Sequence, residues 1–349
     1  MAIIKKLNQK TTNLIAAGEV IERPTSVVKE LVENAIDANA RHITISLIEA
    51  GLTEIVVTDD GDGMDIIDAK MAIEPHATSK IKNEHDLFKI SSLGFRGEAL
   101  PSIVSISQFR MKTSVDGNKG FMYNLKGGVL ISEAIVASRK GTEISVRNLF
   151  FNTPARLQSL QSPVAELSYV TEFVGKIAIA NPDISFTLIN NNKPIIVTHG
   201  TGDLLETIFA VYGSDVAKAM VSVFNDDGFF QIEGFISKIS VTRSSKNHIT
   251  IIVNGRVIRN NNLVNAVIRA YGERLMNGRY PIAVINITLD AGLVDVNVHP
   301  AKLEVRFSNE DELIDLLIKT VHNTLKTTDL IVDVSDTFAY DKYDEMVAT

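Results

Sequence analysis

Residues 24–38 read Pro-Thr-Ser-Val-Val-Lys-Glu-Leu-Val-Glu-Asn-Ala-Ile-Asp-Ala. At about 100° per residue, a helix here gathers Glu30, Glu33, Asn34 and Asp37 into one arc. Val27, Val28, Leu31, Val32, Ala35 and Ile36 take most of the remainder. Such a helix must be covered nearly all round, so its polar stripe has to face something. Pro24 suits a first helical turn, and Thr25 or Ser26 is expected to supply the N-cap. Two readings of the stripe stay open. One is a solvated face; the other is a site in which Glu30 is a general base and Asn34, one turn on, a metal ligand.

The chain has 349 residues, room for two domains with substantial cores. No apolar run approaches the roughly 20 residues that span a bilayer, and the amino terminus lacks a signal pattern, so a cytoplasmic location without membrane contact is expected. With no cysteine there is no disulfide framework and no thiolate zinc site, leaving oxygen or imidazole for any metal. The seven histidines are scattered without helical pairing, which argues against a zinc hydrolase. A net charge of −7 argues against coating nucleic acid by bulk charge. Its distribution says more. Residues 238–280 hold eight Lys or Arg against Glu273 alone, whereas residues 327–349 are acidic. The first stretch could meet phosphates and the second could not.

Strands are expected at 43–48 and 54–58, the second ending in Asp59-Asp-Gly-Asp-Gly63-Met64. An EF-hand fails there, because its fifth and twelfth positions would be Met64 and Met71. An acidic turn, or a strand-end carboxylate beside glycines that let a ligand approach, remains. Further on, Gly94-Phe-Arg-Gly-Glu-Ala-Leu100 leads glycines into a helix start, an arrangement that favours an anion. No P-loop, Rossmann turn or serine-hydrolase elbow is present. Strands predominate over 108–147 with turns at Asp116-Gly117 and Gly127-Gly128, and a helix covers 168–180. A domain boundary is expected within 198–203. Beyond it come strands at 230–236, 248–253 and 282–288, helices at 263–271 and 310–326, and an acidic linker. The resulting domains are 1–200, 201–327 and a tail, 328–349.

Glu30-x-x-x-Asn34, Asp59-x-Gly-x-Gly63, Gly94 to Leu100 and Gly141-Thr142 together resemble the four ordered motifs of the GHKL ATPases. The heptapeptide at 94–100, with Ile15-Ala-Ala-Gly-Glu19, Asn152-Thr-Pro-Ala-Arg156 and Val296-Asn-Val-His-Pro-Ala-Lys302, is similar to the MutL mismatch-repair family in particular. This resemblance covers about residues 6–325. It implies an α+β chain: a Bergerat-type α/β sandwich, then a smaller ribosomal-S5-like transducer domain.

The resemblance also implies roles. Glu30 activates water against the γ-phosphate of ATP, and Asn34 holds Mg²⁺. Asp59 accepts from the adenine amino group, Gly61 and Gly63 admit the base, and Thr142 assists. Met64, Thr78 and Lys80 belong to the same nucleotide site. Gly94, Phe95, Arg96, Gly97, Glu98, Ala99 and Leu100 form a lid over the phosphates, and Lys302 of the second domain touches the γ-phosphate. Such a protein is a bacterial, nucleoid-associated clamp that dimerises on ATP and binds DNA without much sequence preference. It connects a MutS-type mismatch recognition protein to a nuclease or helicase. Arg243, Lys246, Arg256, Arg259, Arg269, Arg274 and Arg279 are the candidate DNA contacts.

Several positions depart from the family pattern. Pro75 replaces an arginine before His76, Asp60 replaces an asparagine and adds charge beside the adenine site, and Asn260-Asn-Asn262 stands where arginines are frequent. DNA affinity is therefore expected to be modest. The family continues into a carboxy-terminal dimerisation domain, so this sequence is either a fragment or a chain without constitutive dimerisation. Two other functions share parts of the pattern: the ATPase fragment of a type II topoisomerase, and a nucleotide-sensing adaptor that hardly turns over.

Overall fold

The computed structural model describes Gly18 and residues 20–78, 97–290, 294–295, 306–307 and 309–330. The expectations for residues 15–17 and Glu19, for Lys80, for Gly94, Phe95 and Arg96, for Lys302 and for the tail beyond residue 330 lie outside the described residues. Two compact units divide the chain, Met1–Val211 and Tyr212–Thr349.

In the first unit, helix α1 (Pro24–Asp37) buries Pro24, Val27, Val28, Leu31, Val32 and Ala35, each Val and Leu contributing about 1.5–3 kcal/mol. Its N-cap corrects the sequence expectation. Arg23 holds that place in extended backbone without a side-chain cap. Thr25 and Ser26 already lie inside the first turn, and the Thr25 hydroxyl is buried without a partner among the described residues. Proline has no N–H to satisfy, so it starts the helix by fixing φ.

The elements that follow are β1 (His42–Ile48), β2 (Glu54–Asp59), α2 (Ile66–Met71), α3 (Ala99–Ser105), β3 (Gln108–Ser114), β4 (Lys119–Lys126), β5 (Val129–Ala137) and β6 (Gly141–Arg147). Then come α4 (Pro154–Ser159), α5 (Pro163–Ala180), β7 (Ser185–Asn190), β8 (Lys193–Val197) and α6 (Leu204–Tyr212). One eight-stranded sheet runs β5-β4-β3-β6-β2-β1-β7-β8. Every pairing is antiparallel except β1 with β7. Alternation decides the faces. Ile43, Ile45 and Leu47 of β1 and Ile55 and Val57 of β2 join α1 and the Val170, Val174 and Ile177 row of α5 in a single core.

The second unit contains α7 (Ser214–Lys218), β9 (Met220–Asp226), β10 (Phe230–Ser237), β11 (Thr242–Arg243), β12 (Ile249–Val253), β13 (Arg256–Ile258) and α8 (Asn261–Tyr271). β14 (Tyr280–Pro281), β15 (Ala283–Leu289), β16 (Val294–Asp295), β17 (Arg306–Phe307) and α9 (Glu310–Leu330) complete it. Its five-stranded sheet runs β13-β12-β15-β10-β9, with β12 and β15 parallel. Leu263 and Val267 of α8 and Leu313, Leu317 and Val321 of α9 pack on it. Tyr271 is 1% exposed, and its hydroxyl donates to the Ser237 carbonyl at 2.6 Å. Burial pushes the phenol pKa far above its usual value despite that bond. Tyr271→Phe leaves this carbonyl with one partner fewer in a dry site, so a urea melt is expected to show about 1–2 kcal/mol lost.

Candidate functional site

Three adjacent strands put three polar side chains in one row. Asp59 ends β2 and pairs with Thr142 of β6, which pairs with Thr113 of β3. Asp59 follows Ile55 and Val57 by twos, so it continues the face that packs on α1. Its Oδ1 accepts the N–H of Gly61 at 2.9 Å and of Thr142 at 3.3 Å. Burial raises the Asp59 pKa above the usual carboxylate value, the two N–H bonds pull it back, and the charge of Asp60 adds to the rise. A raised native pKa means that this carboxylate, ionised, lowers stability above its native titration and no longer does so below the unfolded value. Asp59→Asn keeps both acceptor bonds and removes the charge. Its melting temperature at neutral pH is expected to exceed that of the wild type, with the gain shrinking as pH falls through the Asp59 titration.

The turn after Asp59 is pinned on two sides. Asp62 N–H donates to the Ala38 carbonyl beyond α1 at 2.8 Å, and Met64 N–H donates to Thr113 Oγ1 at 2.9 Å. Gly63 has φ 68°, and a Cβ there would lie 2.1 Å from the Ser114 carbonyl oxygen. The missing side chain is thus required by close contact within the protein itself. Thr113, fully buried, was not singled out from the sequence. The available signal was a threonine ending the Phe109, Met111 alternation, which means little until the register with Thr142 is known.

Asp60 has a structural use besides the charge expected of it. Its Oδ1 accepts the N–H of Arg41 and of His42, both at 2.8 Å, and its Oδ2 lies 2.7 Å from His42 Nδ1. Burial raises its pKa, and the bonds from His42 and Arg41 outweigh that and hold it low. The carboxylate fastens the start of β1 to the end of β2, while its charge still reaches Asp59.

On α1, Glu30, Glu33, Asn34 and Asp37 are half-buried and all four have partners. Lys29 lies 3.9 Å from Glu33. Of the glycine-rich segment, Gly97 is held by the His76 N–H at 2.9 Å, while Glu98, Ala99 and Leu100 open α3. Thr78 is exposed. Among the described residues, no three His, Asp or Glu side chains are grouped to hold a metal. The amide oxygen of Asn34 offers one protein ligand, a set that suits Mg²⁺ coordinated mainly by phosphates and water.

The basic residues divide. Arg243 pairs with Tyr280 across β11 and β14, and Arg279 donates to the Thr242 carbonyl at 2.9 Å. Lys246 sits just before β12, and Arg269 and Arg274 flank Tyr271, which is tied to the end of β10. Arg243, Lys246 and Arg279 lie at the sheet end where β12 and β15 begin. Arg256 lies at the opposite end of β12, opposite Val253, and Arg259 follows β13, whose last pair is Ile258 with Ile251. Asn260 caps α8 through the Leu263 N–H at 2.9 Å and donates to Glu310 at 2.8 Å, a structural use of a position where arginines were considered.

Residues 21–159 match the family described as histidine kinase-, DNA gyrase B- and HSP90-like ATPase. Residues 208–326 match the DNA mismatch repair protein C-terminal domain. The first unit therefore has the GHKL ATPase fold. Among solved structures, the N-terminal domain of a DNA repair protein superposes with TM-score 0.79 at 28% identity, over 92% of this chain and 99% of that one. The Aquifex aeolicus MutL ATPase domain complexed with ADP gives 0.61 at 24% identity, over 78% and 93%, a likeness of fold. The MutL of Geobacillus sp. strain WCH70 is 52% identical over 96% of this chain and 54% of its own length, and that of Streptococcus agalactiae 48% identical over 97% and 52%. The chain belongs to the MutL DNA mismatch-repair family and spans about half the length of these relatives. No described helix is long and apolar enough to cross a membrane.

Proposed function

We propose that this chain is the ATP-binding and ATP-hydrolysing part of a mismatch-repair clamp. The observation that carries the reading is the pairing of a half-buried acidic stripe on α1 with a half-buried strand-end carboxylate, Asp59, on the face that α1 covers. Asp59 accepts from the adenine amino group, with Thr142 and the turn to Met64 lining the base. Glu30 takes the proton from a water whose oxygen attacks the γ-phosphorus. The bond from that phosphorus to the β,γ-bridging oxygen breaks, and ADP leaves with the electron pair. Asn34 would hold Mg²⁺, which neutralises phosphate charge when bound. The glycine-rich segment 94–100, Thr78 and Lys80 enclose the phosphates, and Lys302 reads the γ-phosphate.

A cation that meets ATP but not ADP has the differential affinity that a nucleotide switch requires. On this reading ATP brings two chains together. The basic residues of the second unit, Arg243, Lys246 and Arg279 foremost, hold DNA phosphates without sequence preference. A MutS-type protein and a nuclease or helicase are the partners, in the bacterial cytoplasm at the nucleoid. The test is mass in solution with Mg²⁺ and a non-hydrolysable ATP analogue: a dimer only with nucleotide is expected, and a monomer saturated with the analogue would remove the dimerisation claim. For DNA, Arg243→Glu and Arg279→Glu are expected to weaken binding and flatten its salt dependence, as judged by fluorescence anisotropy across salt concentrations. Wild-type affinity that ignores salt would contradict the assignment.

A further inference from the structure

We infer that Thr113 is a positioning residue that fixes which way the Thr142 hydroxyl points its proton, and so sets selectivity for adenine over guanine. The inference rests on the adenine reading of the Asp59 site. Thr113 Oγ1 accepts the Met64 N–H at 2.9 Å, lies 3.0 Å from Thr142 Oγ1 and 3.3 Å from the Gly141 carbonyl oxygen. The side chain is fully buried, so no bulk water takes its proton. One proton is available for two acceptors, and the nearer is Thr142 Oγ1. When Thr113 donates to Thr142, the Thr142 proton cannot return along the same contact and turns away from Thr113.

The consequence is a polarity for the whole row. Asp59 has Oδ1 engaged by two N–H groups, and its Oδ2 has no partner among the described residues. The row therefore presents an acceptor from Asp59 and a donor from Thr142. Adenine offers the complement, an amino donor beside a ring-nitrogen acceptor. Guanine offers the reverse, a carbonyl oxygen beside a ring N–H, and would set oxygen against carboxylate and proton against proton. With Thr113 donating to Gly141 instead, Thr142 would donate to Thr113 and show the base only lone pairs.

Thr113→Val keeps the branched shape and removes the hydroxyl; Thr113→Ser keeps the hydroxyl. Calorimetric titration with ADP and competition with GDP separate selectivity from packing. Thr113→Val is expected to weaken ADP by about tenfold, the size of one hydrogen bond, and to leave GDP unchanged or tighter. Thr113→Ser is expected to keep the wild-type ratio. Equal weakening of ADP and GDP in Thr113→Val would reduce Thr113 to a pin for the Met64 turn and overturn the inference, as would no change in either. Failure of the adenine reading looks different: wild type would not prefer ADP to GDP, or Asp59→Asn would bind ADP as wild type does, and either result overturns both.

Discussion

Glu30→Ala is expected to slow ATP hydrolysis by about 10²- to 10⁴-fold in a single-turnover assay while leaving affinity for a non-hydrolysable analogue unchanged. Glu30 and Asn34 share one half-buried face of α1, one turn apart, beside a core that holds the helix rigidly. A general base is used only when the proton moves, so its loss falls on the rate and not on binding. Glu33→Ala is the matched control. Glu33 lies on the same stripe but is paired with Lys29, and its removal should leave the chemical rate close to wild type. If Glu30→Ala turns over as fast as wild type, the proton goes elsewhere and the stripe is structural.

Gly141→Ala is expected to destabilise the first unit by about 3 kcal/mol and to abolish nucleotide binding with it. Gly141 has φ 106°, and a Cβ there would lie 2.1 Å from the Asp59 carbonyl oxygen and 2.8 Å from Asp60 Cα. These are backbone atoms and cannot swing aside. Relief requires β6 to part from β2 at the pair that seats Asp59 against Thr142. Gly128→Ala separates clash from backbone strain, since Gly128 has φ 82° with nothing within 4 Å of the added carbon. It should cost only about 1 kcal/mol. Equal urea midpoints for the two variants would mean that the β2–β6 contact is looser than described.

Much of the first sheet was legible because each strand carries its own signal. Alternation and the turns at Asp116-Gly117 and Gly127-Gly128 mark β3 to β6, and α1 is marked by its apolar circumference. Features resting on distant partners were not legible. β7 and β8 turn at Asn191 and Asn192, both with positive φ, but β7 belongs beside β1 through a parallel pairing across about 140 residues of chain. Residues Asp59 and Thr142 could be singled out by motif, whereas Thr113 gains meaning only through register. The basic stretch was visible as composition, but spacing could not show that Arg256 falls at the opposite end of the strand from Arg243 and Arg279. The N-cap of α1 misled because Thr25 and Ser26 are good capping residues placed after a proline that starts the helix without them.

Nucleotide binding at Asp59 is tested by a calorimetric titration of the wild-type chain and of Asp59→Asn with a non-hydrolysable ATP analogue and Mg²⁺. Asp59→Asn is the right comparison because it is expected to fold at least as stably as wild type, so lost binding cannot be put down to lost structure. If Asp59 seats the nucleotide, wild type shows one site per chain and Asp59→Asn gives no measurable heat. A wild-type chain that does not bind the analogue, or an Asp59→Asn variant that binds it as tightly as wild type, would contradict that role for Asp59.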